Sequence, residues 1–318
     1  GYAQQGGRSQ SQGRAPMYGQ APMPSHVQPK PSFLSRLPKI LISLCAAVAL
    51  LLVGYFGMRL FLTGGFAGSG DQGPLTEEQK EAAYQSPYTW SNLDRSDGRY
   101  VYKQDGKVLS RLGIDVSENQ GEIDWFQVAR DGIDFAVIRV GYRGTSTGGI
   151  FLDDYFEENI DSAQYVGLDT GVYFFSQATT VAEAQEEADF VLEKLAGRQL
   201  QYPVVYDCEE VAAGAGKSRT GGLSRDEMTA CAKAFCARVE QAGYTAMVYG
   251  NSTDLSRYSL SSLSSYDIWY AEYGMPVPSI KHDFTIWQYS NNGSVAGINA
   301  AVDMNIDLTQ AYQAAKKS

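Results

Sequence analysis

Two carboxylates lie two residues apart at the end of a short apolar stretch, and they have the clearest potential for chemistry. Asp207 and Glu209 follow residues 202–206, a β-branched run behind a proline that is typical of a buried strand. On a strand, residues two apart point to the same face, with about 6.6 Å between their Cα atoms. Because two neighbouring acids repel each other, one should have a raised pKa, and a protonated acid beside an ionised one can cleave a glycosidic bond. An exposed acidic turn would give the same local pattern.

Charge is distributed very unevenly along the 318 residues. Up to Arg59 there are six basic residues and no acid, so the rest of the chain carries all 36 acidic residues against 20 basic ones. The main part of the chain therefore offers no basic surface, and we expect no nucleic-acid partner. Four cysteines without metal-ligand spacing and two histidines indicate buried free thiols, no metal site and no cofactor.

The first third of the chain divides into three segments. Residues 1–36 are rich in Gly, Gln, Pro and Ser and are predicted to be a disordered cytoplasmic tail. Residues 37–62 contain an uncharged apolar run at 40–58, long enough to cross a bilayer, with basic residues ahead of it. This pattern predicts a single-pass cell-membrane anchor with the acidic bulk outside, and a cleaved signal peptide with a secreted product is the alternative. Residues 63–110 are predicted to be an extracellular linker.

From residue 111 to 318 the pattern is regular and alternates strands with helices. Helices are indicated at 123–130, 154–166, 181–195 and 224–242, the last opening with a capping box of Ser224 and Glu227. The eight predicted strands are 112–116, 135–140, 170–176, 203–207, 246–249, 268–271, 284–288 and 300–303. Such alternation predicts parallel pairing, and eight strands favour a closed α/β barrel, an irregular TIM-like (β/α) barrel with few helices in its second half.

Several short motifs follow one another in this part of the chain. They are GIDVS at 113–117, IDW at 123–125, FAVIRVGY at 135–142, DYFEEN at 154–159, GVYFFS at 171–176, YPVVYDCE at 202–209, IWYA at 268–271, IWQYS at 286–290 and VDMN at 302–305. In this order and spacing, residues 113–313 resemble glycoside hydrolase family 25, the lysozymes that act as N-acetylmuramidases. The resemblance implies an irregular barrel with an acidic groove at the carboxyl ends of its strands.

Four acids match the family pattern. By resemblance, Glu209 would protonate the leaving oxygen and Asp207 would orient the N-acetyl group or stabilise positive charge. Asp115 and Asp303 would complete an acidic ring. The strand pattern agrees, because each acid is expected to end an apolar strand at the catalytic rim. The resemblance favours substrate assistance by the N-acetyl group, while the sequence leaves retaining and inverting stereochemistry open.

Aromatic side chains near strand ends are candidates for stacking on sugar rings, although they would equally fill a barrel. The candidates are Tyr142, Tyr173, Tyr206, Tyr249, Tyr270, Trp287 and Tyr289, of which Tyr173 and Tyr206 are preferred. Arg139 lies in an apolar strand and needs a carboxylate partner if buried, so it forms either an ion pair or a substrate contact. Phe174 stands where many relatives have histidine, which puts a subsite contact in question.

The sequence thus predicts a membrane-anchored enzyme that cuts the β-1,4 bond between N-acetylmuramic acid and N-acetylglucosamine in peptidoglycan. Two alternatives remain: a wall-binding module that has lost activity, and a chitinase-like hydrolase. Chitinases of that kind carry another acid two places before Asp207, where this chain has Val205.

Overall fold

The computed structural model describes residues 76–211 and 218–317. In chain order they form α1 (Glu77–Ala83), β1 (Leu93–Asp94), β2 (Val101–Gln104), β3 (Lys107–Val108), β4 (Arg111–Val116), α2 (Trp125–Arg130), β5 (Phe135–Arg143), β6 (Ile150–Leu152), α3 (Phe156–Tyr165), β7 (Asp169–Phe175), α4 (Val181–Leu195), β8 (Val204–Asp207), α5 (Arg225–Gln241), β9 (Ala246–Asn251), α6 (Ser252–Ser256), β10 (Asp267–Ala271), β11 (Ile286–Gly293), β12 (Val302–Asp307) and α7 (Thr309–Ala315).

Eight strands close into a barrel in the order β4, β5, β7, β8, β9, β10, β11 and β12, with β12 pairing back onto β4. This confirms the predicted α/β barrel. Neighbouring strands are parallel except at β12, which runs antiparallel to both β11 and β4. Helices α2, α3, α4 and α5 follow the first four barrel strands, whereas only the five-residue α6 follows β9. The second half of the helical ring is therefore reduced, as the sequence indicated.

Strand alternation separates two apolar layers. A small cluster fills the barrel interior and includes Phe135, Val205 and Trp269, while a larger cluster lies between the strands and the surrounding helices. Phe135 stacks on the ring of Tyr202 with 4.2 Å between ring centroids. A Cβ atom on Gly113 would overlap the Phe135 ring, so glycine is needed at this position for the interior to pack.

The segment just before the barrel is folded rather than extended. Strands β1, β2 and β3 form an antiparallel sheet, and aromatic side chains of this region pack on the outer face of β11. Tyr100 stacks on Tyr289 at 3.9 Å, and Trp90 contacts Trp287 at 6.2 Å between ring centroids. Burial of these rings fixes residues 90–100 on the barrel. The extracellular position expected for residues 63–110 stays a prediction.

The predicted tail at 1–36 and the apolar run at 40–58 lie outside the described residues. Within the described part, no helix combines the length and the hydrophobicity that a membrane crossing requires. Cys208, Cys231 and Cys236 are buried free thiols, as predicted for them.

Candidate active site

The four predicted acids lie together in one cavity at the carboxyl ends of the parallel strands. The cavity is lined by Asp115, Tyr173, Asp207, Glu209, Tyr249, Trp269, Gln288 and Asp303. A larger cavity of about 560 Å³ lies at the other end of the barrel, where Arg111 and Tyr202 line it. None of the four predicted acids lines that larger cavity, so the chemistry locates the candidate active site at the smaller one.

Each acid reaches the rim by a different route along the chain. Asp207 is the last residue of β8, and Glu209 follows it after Cys208, which is buried in the outer apolar layer. Asp115 lies near the end of β4. Asp303 was expected to end its strand, and that expectation is wrong: it is the second residue of β12. Because β12 is antiparallel, its beginning lies at the catalytic rim, and Asp303 is paired in register with Asp115.

The acids occupy two depths. Asp115 and Asp207 are only 6% and 3% exposed, whereas Glu209 and Asp303 are half-buried. A ligand entering the groove therefore meets Glu209 and Asp303 first, with the other two carboxyls beneath them.

A network of amides and hydroxyls fixes Asp115. Its Oδ2 accepts hydrogen bonds from Gln288 Nε2 at 2.7 Å and from Asn305 Nδ2 at 2.8 Å. The hydroxyls of Tyr249 and Tyr273 both donate to Gln288 Oε1, at 2.8 and 2.6 Å. Since Gln288 Oε1 accepts two bonds, its NH₂ group must face Asp115, and the carboxylate orientation is set.

Sequence reasoning missed Gln288, Asn305, Trp269 and Tyr273. Trp269 Nε1 donates to Asn305 Oδ1 at 2.8 Å, which holds that amide in place as well. A signal was present in the sequence, because both amides interrupt otherwise apolar strands at inward-facing positions. Buried amides of this kind need partners, and a nearby carboxylate provides one.

Burial is the main cause of raised pKa values in the cluster. It raises the pKa of Glu209 to about 7, with further contributions from the negative charges of Asp254 and Asp303. Burial likewise raises the pKa of Asp303 to about 6, against the lowering effect of its hydrogen bond with Asp115. The pKa of Asp115 lies well above its ordinary value because of burial and then Asp303, and that of Asp207 because of burial and then Glu209. The cluster thus holds protons close to neutral pH, as a general acid requires.

The candidate aromatic residues separate into inward and outward groups. Tyr173 and Tyr249 line the cavity. Tyr142 lies beyond it, stacked on Phe151 at 5.4 Å, with the Arg139 guanidinium over its ring.

The structure corrects the assignment of the remaining aromatic candidates. Strand alternation points them into the outer layer, where they are buried away from the cavity; they are Tyr206, Tyr270, Trp287 and Tyr289. Tyr206, one of the two preferred candidates, packs on Phe235 of α5 and contacts the Ser176 hydroxyl at 3.1 Å.

Arg139 forms an ion pair, the first of its two predicted alternatives. Its Nε donates to Asp153 Oδ2 at 2.7 Å, and its Nη2 lies 2.9 Å from Glu118 Oε1. Phe174 is fully buried on the outer face of β7 and packs edge-on against Phe190 of α4. The side chain at this position therefore does not line the cavity.

No group of histidine, cysteine, aspartate and glutamate side chains among residues 76–211 and 218–317 is arranged to hold a metal ion. The acids of the rim are instead surrounded by hydroxyls, amides and aromatic rings. The arrangement is suited to proton transfer and to the stabilisation of positive charge on a bound ligand.

Comparison with known proteins identifies a family, a sequence relative and two similar structures. Residues 114–298 match the family model of Glycosyl hydrolases family 25. Lysozyme M1 of Streptomyces globisporus is 30% identical over 205 residues, which cover 61% of this chain and 66% of the relative. A solved bacterial lysozyme from Streptomyces coelicolor is 26% identical with a TM-score of 0.52, over 61% of this chain and 90% of that one.

The modular autolysin LytC of Streptococcus pneumoniae, solved with a synthetic peptidoglycan ligand, shares the fold with a TM-score of 0.57. It is 22% identical, and the match covers 68% of this chain and 58% of that one. This chain spans less than two thirds of the length of lysozyme M1. The family match covers more than half of the 318 residues and contains three of the four rim acids. The chain belongs to family 25 of the glycosyl hydrolases.

Proposed function

We propose that the barrel is a muramidase that cleaves the β-1,4 bond between N-acetylmuramic acid and N-acetylglucosamine in peptidoglycan. One observation carries the proposal: four carboxyl groups meet at a single rim, and the accessible Glu209 has a pKa raised to about 7. Membership of family 25 and similarity to proteins named as lysozymes support it.

In the proposed reaction Glu209 is the general acid. Its proton moves to the glycosidic oxygen as the bond between that oxygen and the sugar C1 breaks. The N-acetyl carbonyl oxygen of the same sugar, oriented by Asp207, forms a bond to C1 and carries positive charge into the acetamido group. Water then attacks C1 as the bond from C1 to the acetamido oxygen breaks, and it gives up a proton to the Glu209 carboxylate, so that the N-acetyl group and the general acid are both restored.

The two carboxyls on β4 and β12 act through charge. Asp115 and Asp303 lie side by side on β4 and β12, and negative charge there stabilises the positive charge that develops on the sugar. The hydrogen bonds from Gln288 and Asn305 keep Asp115 in one orientation, so no reorganisation is needed when this charge appears.

The chitinase-like alternative is disfavoured by Val205. This residue is inward-facing, as is Asp207, and is buried within the apolar interior of the barrel. The additional acid that such chitinases carry at this position is therefore replaced by a hydrocarbon side chain.

The deciding experiment is mass spectrometry of fragments released from purified peptidoglycan by the full chain. We expect new reducing ends on N-acetylmuramic acid, and no cleavage by Glu209→Gln, which should still bind glycan. New ends on N-acetylglucosamine, or cleavage of chitin alone, would refute the muramidase assignment. Retained turnover in Glu209→Gln would refute the role of this residue, and glycan binding without turnover by the wild-type chain would favour the inactive wall-binding module.

We also propose that residues 37–62 anchor the enzyme in the cell membrane, with the barrel outside. The support is the uncharged run at 40–58 and the basic residues ahead of it. Fractionation of producing cells tests this: the protein should sediment with membranes, and recovery of a shortened chain from the medium would favour a cleaved signal peptide.

A further inference from the structure

The peptide group between Glu209 and Glu210 is hydrogen-bonded to side chains through both its carbonyl and its N–H. The carbonyl of this peptide belongs to Glu209 and its N–H to Glu210. The carbonyl accepts a hydrogen bond from Gln177 Nε2 at 3.1 Å, and the N–H donates to Asp254 Oδ1 at 3.1 Å. Neither partner is a neighbour in sequence, since Gln177 follows β7 and Asp254 lies in α6.

This peptide has a particular need for such support. Strand β8 ends at Asp207, whose carbonyl accepts the backbone N–H of Ser176, so Glu209 lies beyond the strand ladder. A general acid must hold its proton within a fraction of an ångström of the leaving oxygen, and a displacement of about 1 Å costs on the order of 10²-fold in rate. Side chains therefore have to supply the rigidity that strand pairing no longer gives.

The hydrogen bonds that Gln177 Oε1 accepts fix the orientation of the side-chain amide. The side chain is fully buried, and its Oε1 accepts hydrogen bonds from Ser218 Oγ at 3.2 Å and from the Arg219 N–H at 3.0 Å. With Oε1 facing these donors, the NH₂ group faces the carbonyl of Glu209. Gln177 thus joins the Glu209 peptide to the chain at Ser218.

Asp254 is a buried acid that the sequence did not single out. It is 1% exposed, and its own N–H donates to Asn251 Oδ1 at 3.1 Å. While Oδ1 accepts from Glu210, Oδ2 is buried without a hydrogen-bond partner among the described residues. A buried carboxyl with a free oxygen is costly, so its presence here calls for a function.

We propose that Gln177 and Asp254 are positioning residues that clamp the Glu209–Glu210 peptide and thereby aim the Glu209 carboxyl at the glycosidic oxygen. The proposal rests on the muramidase function and goes beyond it by assigning the support of the acid to two side chains that do not line the cavity. Asp254 has a second effect, because its negative charge favours the protonated form of Glu209.

Several titratable groups face Glu209 from the surrounding elements. They are Asp207 from β8, Asp115 from β4, Asp303 from β12, Tyr249 from β9, Tyr273 after β10 and Asp254 from α6. After burial, Asp254 is the largest cause of the raised pKa of Glu209. Removing its charge should therefore lower that pKa, while the other groups remain in place.

Two variants at Asp254 separate geometry from charge. Asp254→Asn keeps an oxygen that accepts from the Glu210 N–H but removes the charge. We expect kcat at the pH optimum to stay within about threefold of wild type. The basic limb of the pH profile should move to lower pH by on the order of one pH unit. Asp254→Ala removes the acceptor as well, and kcat should fall about 10- to 100-fold with KM within about twofold.

Gln177 has a matched control in Ser218. Gln177→Met keeps the length of the side chain but cannot donate to Glu209, and we expect the same fall in kcat as for Asp254→Ala. Ser218→Ala removes a partner of Gln177 but leaves the bond to Glu209, and kcat should stay within about threefold. Wild-type kcat in both Asp254→Ala and Gln177→Met would overturn the clamp, as would equal losses in Asp254→Asn and Asp254→Ala.

A readout that needs no substrate separates this proposal from the muramidase function. The carboxyl ¹³C resonance of Glu209, assigned by its loss in Glu209→Gln, is titrated in wild type and in Asp254→Asn. Its midpoint should fall in the variant, and an unchanged midpoint would overturn the role of the Asp254 charge. Absence of any cleavage by the wild-type chain would instead refute the muramidase function itself.

Discussion

The raised pKa of Glu209, the proposed general acid, predicts that this carboxyl makes the folded protein less stable at neutral and higher pH. Folding raises this pKa from 4.5 to about 7, mainly through burial. The folded state therefore binds the proton more tightly than the unfolded state. Stability that is present below pH 4.5 is lost as the pH rises through 7, because the folded chain must then bury an ionised carboxyl.

The size of this effect follows from the shift. Each pKa unit corresponds to about 1.4 kcal/mol, so a shift from 4.5 to about 7 gives an upper value of about 3 to 4 kcal/mol. Because the acids are coupled, part of the gain is shared with neighbouring protons. We therefore expect Glu209→Gln to raise the free energy of unfolding by about 2 to 3 kcal/mol at pH 8 and by less than about 0.5 kcal/mol at pH 4.

Urea denaturation of the full chain at the two pH values provides the assay. Glu210→Gln is the matched control, since Glu210 is the exposed neighbour on the same loop and should change stability by less than about 0.5 kcal/mol at either pH. The reasoning would be refuted if Glu209→Gln raised the free energy of unfolding equally at both pH values, or if it were less stable than wild type at pH 8.

Three further predictions follow from the fold and the rim. Peptidoglycan cleavage should have a narrow pH optimum between about 6 and about 7, since Asp303 must ionise with a pKa of about 6 while Glu209 keeps its proton up to about 7; a rate that is flat up to pH 9 would contradict this. Trp287→Ala should cost about 3 to 5 kcal/mol of stability by thermal or urea denaturation and leave kcat within about twofold, because this ring packs outside the barrel; a loss of kcat in folded protein would reinstate it as a substrate contact. Gly113→Ala should cost about 1 to 3 kcal/mol through its overlap with Phe135, and unchanged urea denaturation would contradict that packing.

Much of the barrel was predictable from local pattern. Most of the eight strands contain a short apolar run, and helix α5 begins at the predicted capping box of Ser224 and Glu227. The last strand is less apolar, and the predicted strand at 300–303 shares only residues 302 and 303 with β12. The direction of the last strand was harder to predict from the sequence. The direction of β12 depends on how the chain closes the barrel, which is a tertiary property that the run at 302–307 does not encode locally.

The candidate site was only partly predictable, for a related reason. Asp207 and Glu209 were found because charges after an apolar run stand out, whereas Asp115 and Asp303 were identified from the family resemblance. Tyr206 and Trp287 were misplaced because proximity to a strand end does not say which face a side chain occupies; inside and outside of a barrel are both apolar. Gln177 and Asp254 lie on connections after strands, and their link to Glu209 exists only through long-range hydrogen bonds.

The pairing of Asp115 with Asp303 joins the first strand of the barrel to the last one. During synthesis, the ribosome releases β12 only after every other strand has emerged, so a nascent chain has an incomplete acidic ring until the closing strand docks. The four carboxyls of the rim therefore come together only when the barrel is complete. If the proposed muramidase acts on the wall of its own cell, this order would protect the cell, because partly made or C-terminally clipped copies lack the Asp303 carboxyl.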